Sequence, residues 1–251
     1  MAEVAANIEA VQQRMQAAAR RAGRRVDEIT LVAVTKTHPV ATVIAAYQAG
    51  LRHFGENRAQ EYLDKAAGFS AWLENNPANE VADWHFIGHV QSRQVSLILG
   101  GRPNLIHSVD SLKLAERIDR LAGREGYPPV DILLQCNVSG EETKSGFELD
   151  RWPADKAQFA AFLTAVQHIA GLEKVVIRGL MTMAPFSDDP ETARPTFRSL
   201  AALRTKLQSE MTHLDWRHLS MGMTDDFEVA IEEGSSLIRV GRAIFGERSD
   251  A

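Results

Sequence analysis

A single cysteine in 251 residues rules out an intrachain disulfide. That residue, Cys136, lies inside the apolar run Val130 to Val138 and reads as inert core. No apolar stretch approaches the length needed to span a bilayer. The N-terminus, Ala2-Glu-Val-Ala-Ala-Asn-Ile-Glu9, meets an acidic residue at once and has no basic flank ahead of an apolar core, so it does not read as a secretory signal. Positive charge is not in excess either. With 28 Lys and Arg against 33 Asp and Glu, the formal net charge of -5 supplies no global attraction to nucleic acid or anionic membrane. The expected location is the cytoplasm, with no nucleic acid and no membrane as partner.

Linkers and repeats are also lacking. The turn-rich stretches Glu74 to Glu80 and Ser187 to Pro195 are too short to separate domains, and one domain over residues 1–251 is expected. What the chain does contain is alternation. Val4, Ile8, Val11 and Met15 recur at helical spacing, and Gly23 follows a run of arginines suited to a helix C-terminus. Strand-like runs then occur at Ile29 to Thr35, His53-Phe-Gly55, Trp84 to Ile87, Leu105 to Val109, Val130 to Val138, Val175 to Met183, Leu219 to Met221 and Leu237 to Val240. Helical patterns separate most of them: one from Pro39 to Gly50, then Leu112 to Leu121, Phe159 to Ile169, Thr196 to Met211 and Asp226 to Glu233. The fold class read from this order is α/β, a single (β/α)8 TIM barrel with an additional N-terminal helix. A doubly wound open sheet is the alternative, but no Gly-x-Gly-x-x-Gly follows the first strand.

In such barrels function gathers at the C-terminal strand ends, and phosphate commonly binds after strands seven and eight. Lys36 closes the first strand. A lysine desolvated at a rigid strand tip can attack an aldehyde as the neutral amine, whereas the plain alternative is an amine reaching water. The last two strands end in Leu219-Ser-Met-Gly-Met-Thr224 and Arg239-Val-Gly-Arg-Ala-Ile-Phe-Gly246. Ser220 and Thr224 offer hydroxyls, Gly222 and Gly241 let an anion approach the main chain, and a helical turn from Arg242 aims amides at it. Ordinary turn capping is the alternative for each. Glu247-Arg248 follows the glycine segment where a Walker loop requires Lys-Ser or Lys-Thr.

Arg239 falls between the apolar Ile238 and Val240, so it needs a partner, either a core carboxylate or a ligand atom that accepts hydrogen bonds. His85 and His89 have helical metal-pair spacing but stand about 13 Å apart in a strand, so no metal site is expected. The pairs Glu141-Glu142 and Asp225-Asp226 read as solvated or helix-dipole residues. No Ser/His/Asp order stands out from spacing.

Ala33-Val-Thr-Lys36, Phe54-Gly-Glu-Asn-Arg-Ala-Gln-Glu61, Trp84-His-Phe-Ile-Gly88, Asn137-Val-Ser-Gly-Glu-Glu-Thr-Lys-Ser-Gly-Phe147, Arg178-Gly-Leu-Met181, Ser220-Met-Gly-Met223 and Arg239 to Gly246 occur in one order along almost the whole chain. In these blocks the sequence resembles the pyridoxal 5′-phosphate homeostasis proteins, relatives of the alanine racemase N-terminal barrel. The resemblance implies that Lys36 forms an internal aldimine with pyridoxal 5′-phosphate. It implies that Ser220, Gly241 and the backbone near Arg242 hold the phosphate, that Arg239 meets the pyridine nitrogen, and that Asn57 and Met223 belong to the site. Position 242 is often a small hydroxyl residue in that family and is arginine here. Gln91-Ser-Arg-Gln94 departs from the family's common Gln-x-Asn-Lys.

Alanine racemases add a tyrosine acid/base from a separate C-terminal β-domain, and this chain ends soon after Phe245. The three tyrosines, Tyr47, Tyr62 and Tyr127, fall outside the matched motifs. The resemblance therefore implies a protein that binds, buffers and delivers pyridoxal phosphate without efficient catalysis, with pyridoxal-phosphate-dependent apo-enzymes as partners; a monomer is expected. A pyridoxal-phosphate-dependent amino-acid racemase is the alternative.

Overall fold

The structure, a computed structural model, describes residues 2–77 and 80–246. Part of the turn-rich stretch Glu74 to Glu80, and the Glu247-Arg248 pair that argues against a Walker loop, lie outside the described residues.

Eight parallel strands close into a barrel. They are β1 (Thr30–Val34), β2 (His53–Glu56), β3 (Asp83–Phe86), β4 (Leu105–Val109), β5 (Val130–Asn137), β7 (Val175–Met181), β8 (His218–Ser220) and β9 (Leu237–Val240). A two-residue strand, β6 (Phe147–Glu148), pairs with the end of β5 and lies outside the ring. Closure comes from β9, which pairs with β8 on one side and β1 on the other, with Val32 opposite Arg239 and Ala33 opposite Val240. Each of the eight runs read from the sequence forms a barrel strand.

Parallel neighbours need crossovers, and helices supply them: α2 (Val40–Gln48), α3 (Ala59–Glu74), α4 (Val95–Gly100), α5 (Leu112–Glu125), α6 (Lys156–Ala170), α7 (Arg194–Glu210), α8 (Phe227–Glu232) and the short α9 (Arg242–Phe245). The local rules are visible in α5. Ser111 caps it by accepting from the Leu114 amide, Leu114, Ile118 and Leu121 face the sheet at helical spacing, and Gly126 ends it at φ 73°. Two helices have no counterpart in the sequence reading, α3 and the six-residue α4. In α3 the buried stripe Ala59, Tyr62, Lys65, Ala66, Phe69 carries a lysine at its centre, which masks its apolar period.

The N-terminal helix α1 (Ala2–Arg21) lays Ile8, Val11, Met15 and Ala18 into the core and packs on α8 and α9. Asn7 donates to the Ile244 carbonyl at 3.0 Å, and Arg14 meets Glu228 at 2.9 Å. Among the described residues no helix is long and apolar enough to cross a membrane.

Strand alternation divides the apolar residues in two. Ile238 and Val240 of β9 join the large core between strands and helices, whereas Leu237 joins an inner cluster with Val32, Leu105, Leu133 and Met181. Polar side chains share the interior. His85, His107, Gln135, Ser220 and Arg239 are all buried.

Candidate functional site

Lys36 stands just past β1, after the buried Thr35, and is half-buried. The next residue, Thr37, takes φ 68°, a conformation that a β-branched side chain tolerates only under constraint. The constraint is visible: its amide donates to Glu61 Oε2 of α3 at 2.9 Å. The chain therefore turns sharply just past the amine.

Behind this strand tip, on the side facing α3, lies a cluster that spacing in the sequence did not reveal. Glu56 is fully buried at the end of β2. Its Oε1 accepts from Lys65 Nζ at 2.6 Å and from the Thr35 hydroxyl, and the same ammonium donates to the Thr35 carbonyl at 2.7 Å. Lys65 thus ties the ends of β1 and β2 together, and Glu56 Oε2 is left buried without a partner. Burial pushes the Glu56 carboxyl up, and the hydrogen bonds from Lys65 and Thr35 pull it back. Lys65→Met strands a buried carboxylate, and a loss of about 3–5 kcal/mol in unfolding free energy is expected by urea titration. Adding Glu56→Leu to that variant should recover most of the loss. A double variant as unstable as the single one speaks against an ion-pair origin.

Arg239 and Ser220 form the second part. Both are buried. Arg239 Nη1 donates to Ser220 Oγ at 2.5 Å and Nη2 to the Thr182 carbonyl at 3.1 Å. Of the two partners the sequence allows, a core carboxylate is excluded, because among the described residues no acidic oxygen lies within ion-pair distance of this guanidinium. Burial lowers the Arg239 pKa to about 10, partly opposed by the nearby Asp226 carboxylate, so the group stays protonated at neutral pH. Ser220 is fully buried. Its hydroxyl also meets His107 Nδ1 at 2.8 Å.

Asn57 follows β2, and its Oδ1 is buried without a hydrogen-bond partner. Such an atom is costly unless something donates to it. Gly88 makes this position possible, since a Cβ there would stand 1.9 Å from the Asn57 carbonyl oxygen. On the other side of Lys36, β9 runs into Gly241 and the start of α9. The preceding Ser220-to-Thr224 loop is held to β9 by the Arg239 amide, which donates to the Gly222 carbonyl at 3.0 Å. Gly222 takes φ 94°, and a Cβ there would meet Ala230 Cβ at 2.5 Å, so only glycine fits.

Asn57, Lys36 and Gly241 thus follow three adjacent strands, β2, β1 and β9, with Arg239 within β9 and bonded to Ser220. Met223 and the Arg242 side chain stand apart at the rim. Met223 is exposed and lines a small cavity of ≈ 80 Å³ with Lys144, Phe186, Asp225 and Asp226. Arg242 turns to Asp225, bonding both carboxylate oxygens at 2.5 and 2.6 Å. Asp225 therefore serves an ion pair. Asp226, read from the sequence as solvated or dipolar, accepts from the Met223 amide at 2.6 Å, and burial raises its pKa.

His85 and His89 take different partners. His89 faces Asp110 at 3.6 Å, while His85 bonds His53 and His107. Among the described residues no three His, Cys, Asp or Glu side chains are grouped to hold a metal. Tyr47 and Tyr62 donate their hydroxyls to the carbonyls of Glu80 and Gly101.

Comparison with known proteins agrees with this architecture. Residues 6–249 match the family described as alanine racemase, N-terminal domain. The pyridoxal phosphate homeostasis protein of Aquifex aeolicus is 40% identical over 238 residues, 95% of each chain. That of Escherichia coli K12 is 38% identical over 99% of this chain and 98% of its own. The structure of PipY from Synechococcus elongatus PCC7942 with PLP bound superposes with a TM-score of 0.77 at 32% identity, covering 97% of this chain and 100% of that one. Full-length identity at this level, on the same closed barrel, assigns the chain to the pyridoxal phosphate homeostasis proteins, within the alanine racemase N-terminal domain family.

Proposed function

We propose that this protein binds pyridoxal 5′-phosphate at the C-terminal end of its barrel, buffers it, and releases it to apo-enzymes that need it, without efficient catalysis of its own. One observation carries the reading. A strand-end amine, Lys36, stands between two neighbouring strands, β9, which carries a buried arginine in no ion pair among the described residues, and β2, which is followed by Asn57, whose buried Oδ1 lacks a donor. A phosphorylated pyridine aldehyde matches that set. When bound, it supplies an aldehyde that reacts reversibly with a primary amine.

Each residue then has a defined task. Lys36 provides the amine, and Lys65 braces the backbone behind it through the Thr35 carbonyl. Gly241 and the head of α9, with the Ser220 hydroxyl, receive the phosphate. Asn57 Oδ1 accepts from a donor on the ligand. Arg239 can only donate, so it suits a ring nitrogen that carries no proton of its own. An arginine in that place supports retention rather than turnover, since it gives no proton to strengthen the ring as an electron acceptor. Tyr47 and Tyr62, bonded to backbone carbonyls, are not available as a second acid/base for racemisation. The lone buried cysteine supports a reducing cytoplasmic setting.

Two incubations test the proposal. Loaded protein mixed with an apo-enzyme that uses the cofactor is expected to restore its activity faster than passive release into buffer allows. Loaded protein mixed with L-alanine or another single enantiomer is expected to leave optical purity unchanged, and sustained racemisation defeats the carrier reading.

A further inference from the structure

A continuous line of hydrogen-bonding side chains crosses the barrel interior from the strand starts to the strand ends. Asp83 opens β3 at the surface, and its Oδ2 lies 3.4 Å from Nδ1 of His53, the first residue of β2. His53 Nδ1 is 3.2 Å from His85 Nε2, and His85 Nδ1 is 2.9 Å from His107 Nε2. His107 Nδ1 in turn is 2.8 Å from Ser220 Oγ, which receives Arg239. Three rings on adjacent strands therefore link a surface carboxylate to the candidate site. The outer end borders a groove of ≈ 660 Å³ between α1 and the starts of β1 and β2. His218, the other half-buried histidine nearby, bonds Ser236 instead and stands beside the line.

The direction of these bonds is constrained. His85 and His107 are buried, and burial drives the first down to about 3 and the second well below its usual value, so each ring is neutral with one proton at neutral pH. A neutral imidazole donates from one nitrogen and accepts at the other. The line can then run only as a whole, outward from Ser220 to His53 or inward from His53 to Ser220. The outward order makes His53 Nδ1 the acceptor of the His85 Nε2 proton and turns its lone pair, not an N–H, toward the Asp83 carboxylate. The inward order places an N–H there, donated to His85 Nε2, with the Asp83 carboxylate 3.4 Å away attracting its positive end.

Inward order has a consequence for Ser220. Its oxygen accepts from His107 and from Arg239, which fills both lone pairs. The hydroxyl hydrogen has no acceptor in either of those groups, and among the described residues Ser220 has no other side-chain partner.

We infer that Asp83 polarises the His53–His85–His107 line inward, and that these histidines are positioning residues that leave the Ser220 hydroxyl as a hydrogen-bond donor to the phosphate group of the ligand. This rests on the function proposed above for the ligand's identity, but the order of the tautomers does not.

The test uses the full chain labelled with 15N. Long-range 1H–15N correlation of the imidazoles, without ligand and at neutral pH, is expected to find His53, His85 and His107 protonated at Nδ1, although free imidazoles favour Nε2. Nε2-protonated rings at His85 and His107 overturn the inference. Asp83→Ala is expected to swing both rings to the Nε2 form, and unchanged tautomers remove the role of Asp83. Asn104→Ala, which deletes the other partner of Asp83 at 2.7 Å, should leave them unaltered. Inorganic phosphate and pyridoxal phosphate are then titrated into Asp83→Ala. Each is expected to bind about fivefold more weakly, the worth of one hydrogen bond. Swung tautomers with undiminished affinity break the link to the ligand. Wild-type protein that binds neither compound defeats that link together with the functional reading, while the ligand-free spectrum judges the polarised line separately.

Discussion

Lys36→Ala protein is expected to emerge colourless from purification in the presence of pyridoxal phosphate, where the unaltered chain is yellow. The amine is the only part of the proposed site that offers a covalent bond. Without it, the Gly241 backbone, Ser220 and Arg239 still offer hydrogen bonds, so weak reversible binding remains. Retention should fall by roughly a hundredfold or more, equivalent to at least two steps of 1.4 kcal/mol. Lys36→Arg separates charge from nucleophilicity. It keeps the cation but cannot release a proton, so it too should be colourless. Borohydride treatment followed by peptide mapping is expected to place the fixed group on Lys36 in the parent protein. A yellow Lys36→Arg protein, or a fixed group found mainly on Lys144 at the rim, would require a different tether.

The second large effect is loss of stability in mild acid. The buried His85 and His107 have no room for a second proton: burial lowers His85 to about 3, and His107 is driven down by burial, by His85 and by Arg239. In the unfolded chain each takes up a proton near pH 6.5. Below that value the unfolded state holds more protons than the folded one, so unfolding becomes easier as pH falls. The stability these rings lend is fully present above about pH 6.5 and drains as pH drops toward the folded value of His85. The slope is up to ~1.4 kcal/mol per pH unit for each ring. His53 and His218 shift the same way for the same cause, but they are partly exposed and add less. Urea titrations at pH 7 and pH 5 should show a fall of a few kcal/mol, and His85→Gln should flatten the slope by about one proton. A flat profile between those pH values would sink the assignment. Carboxylates held low by arginine, such as Asp215 and Glu232, act in a lower pH window and do not mimic this result.

The barrel is legible in the chain because each strand is a short apolar run and its neighbours in sequence are helices, so order alone gives adjacency. The strand-end residues are legible for the same reason. Lys36 and Arg239 break apolar runs at positions where a charge needs explaining. The Glu56–Lys65 pair is not legible, since its partners are nine residues apart on a strand and a helix, and each looks like an ordinary surface charge. Lys65 even hides the helix that carries it. The histidine line is harder still. His53, His85 and His107 come from three strands, and only the registers between β2, β3 and β4 bring their rings into contact. Arg242 shows the opposite failure: its backbone position is readable from the glycine before it, but its side-chain partner, Asp225, lies in another loop.

Closure of β9 onto β1 also bears on when the site comes into being. The proposed tether belongs to the first strand and the anion cradle to the last, so the two halves meet only after nearly the whole chain has been made and its long-range pairing formed. A chain still emerging from the ribosome carries the reactive amine without the cradle. On the proposed site, retention of the cofactor is therefore a property of the finished barrel, and a truncated or stalled product lacks the cradle that would hold it.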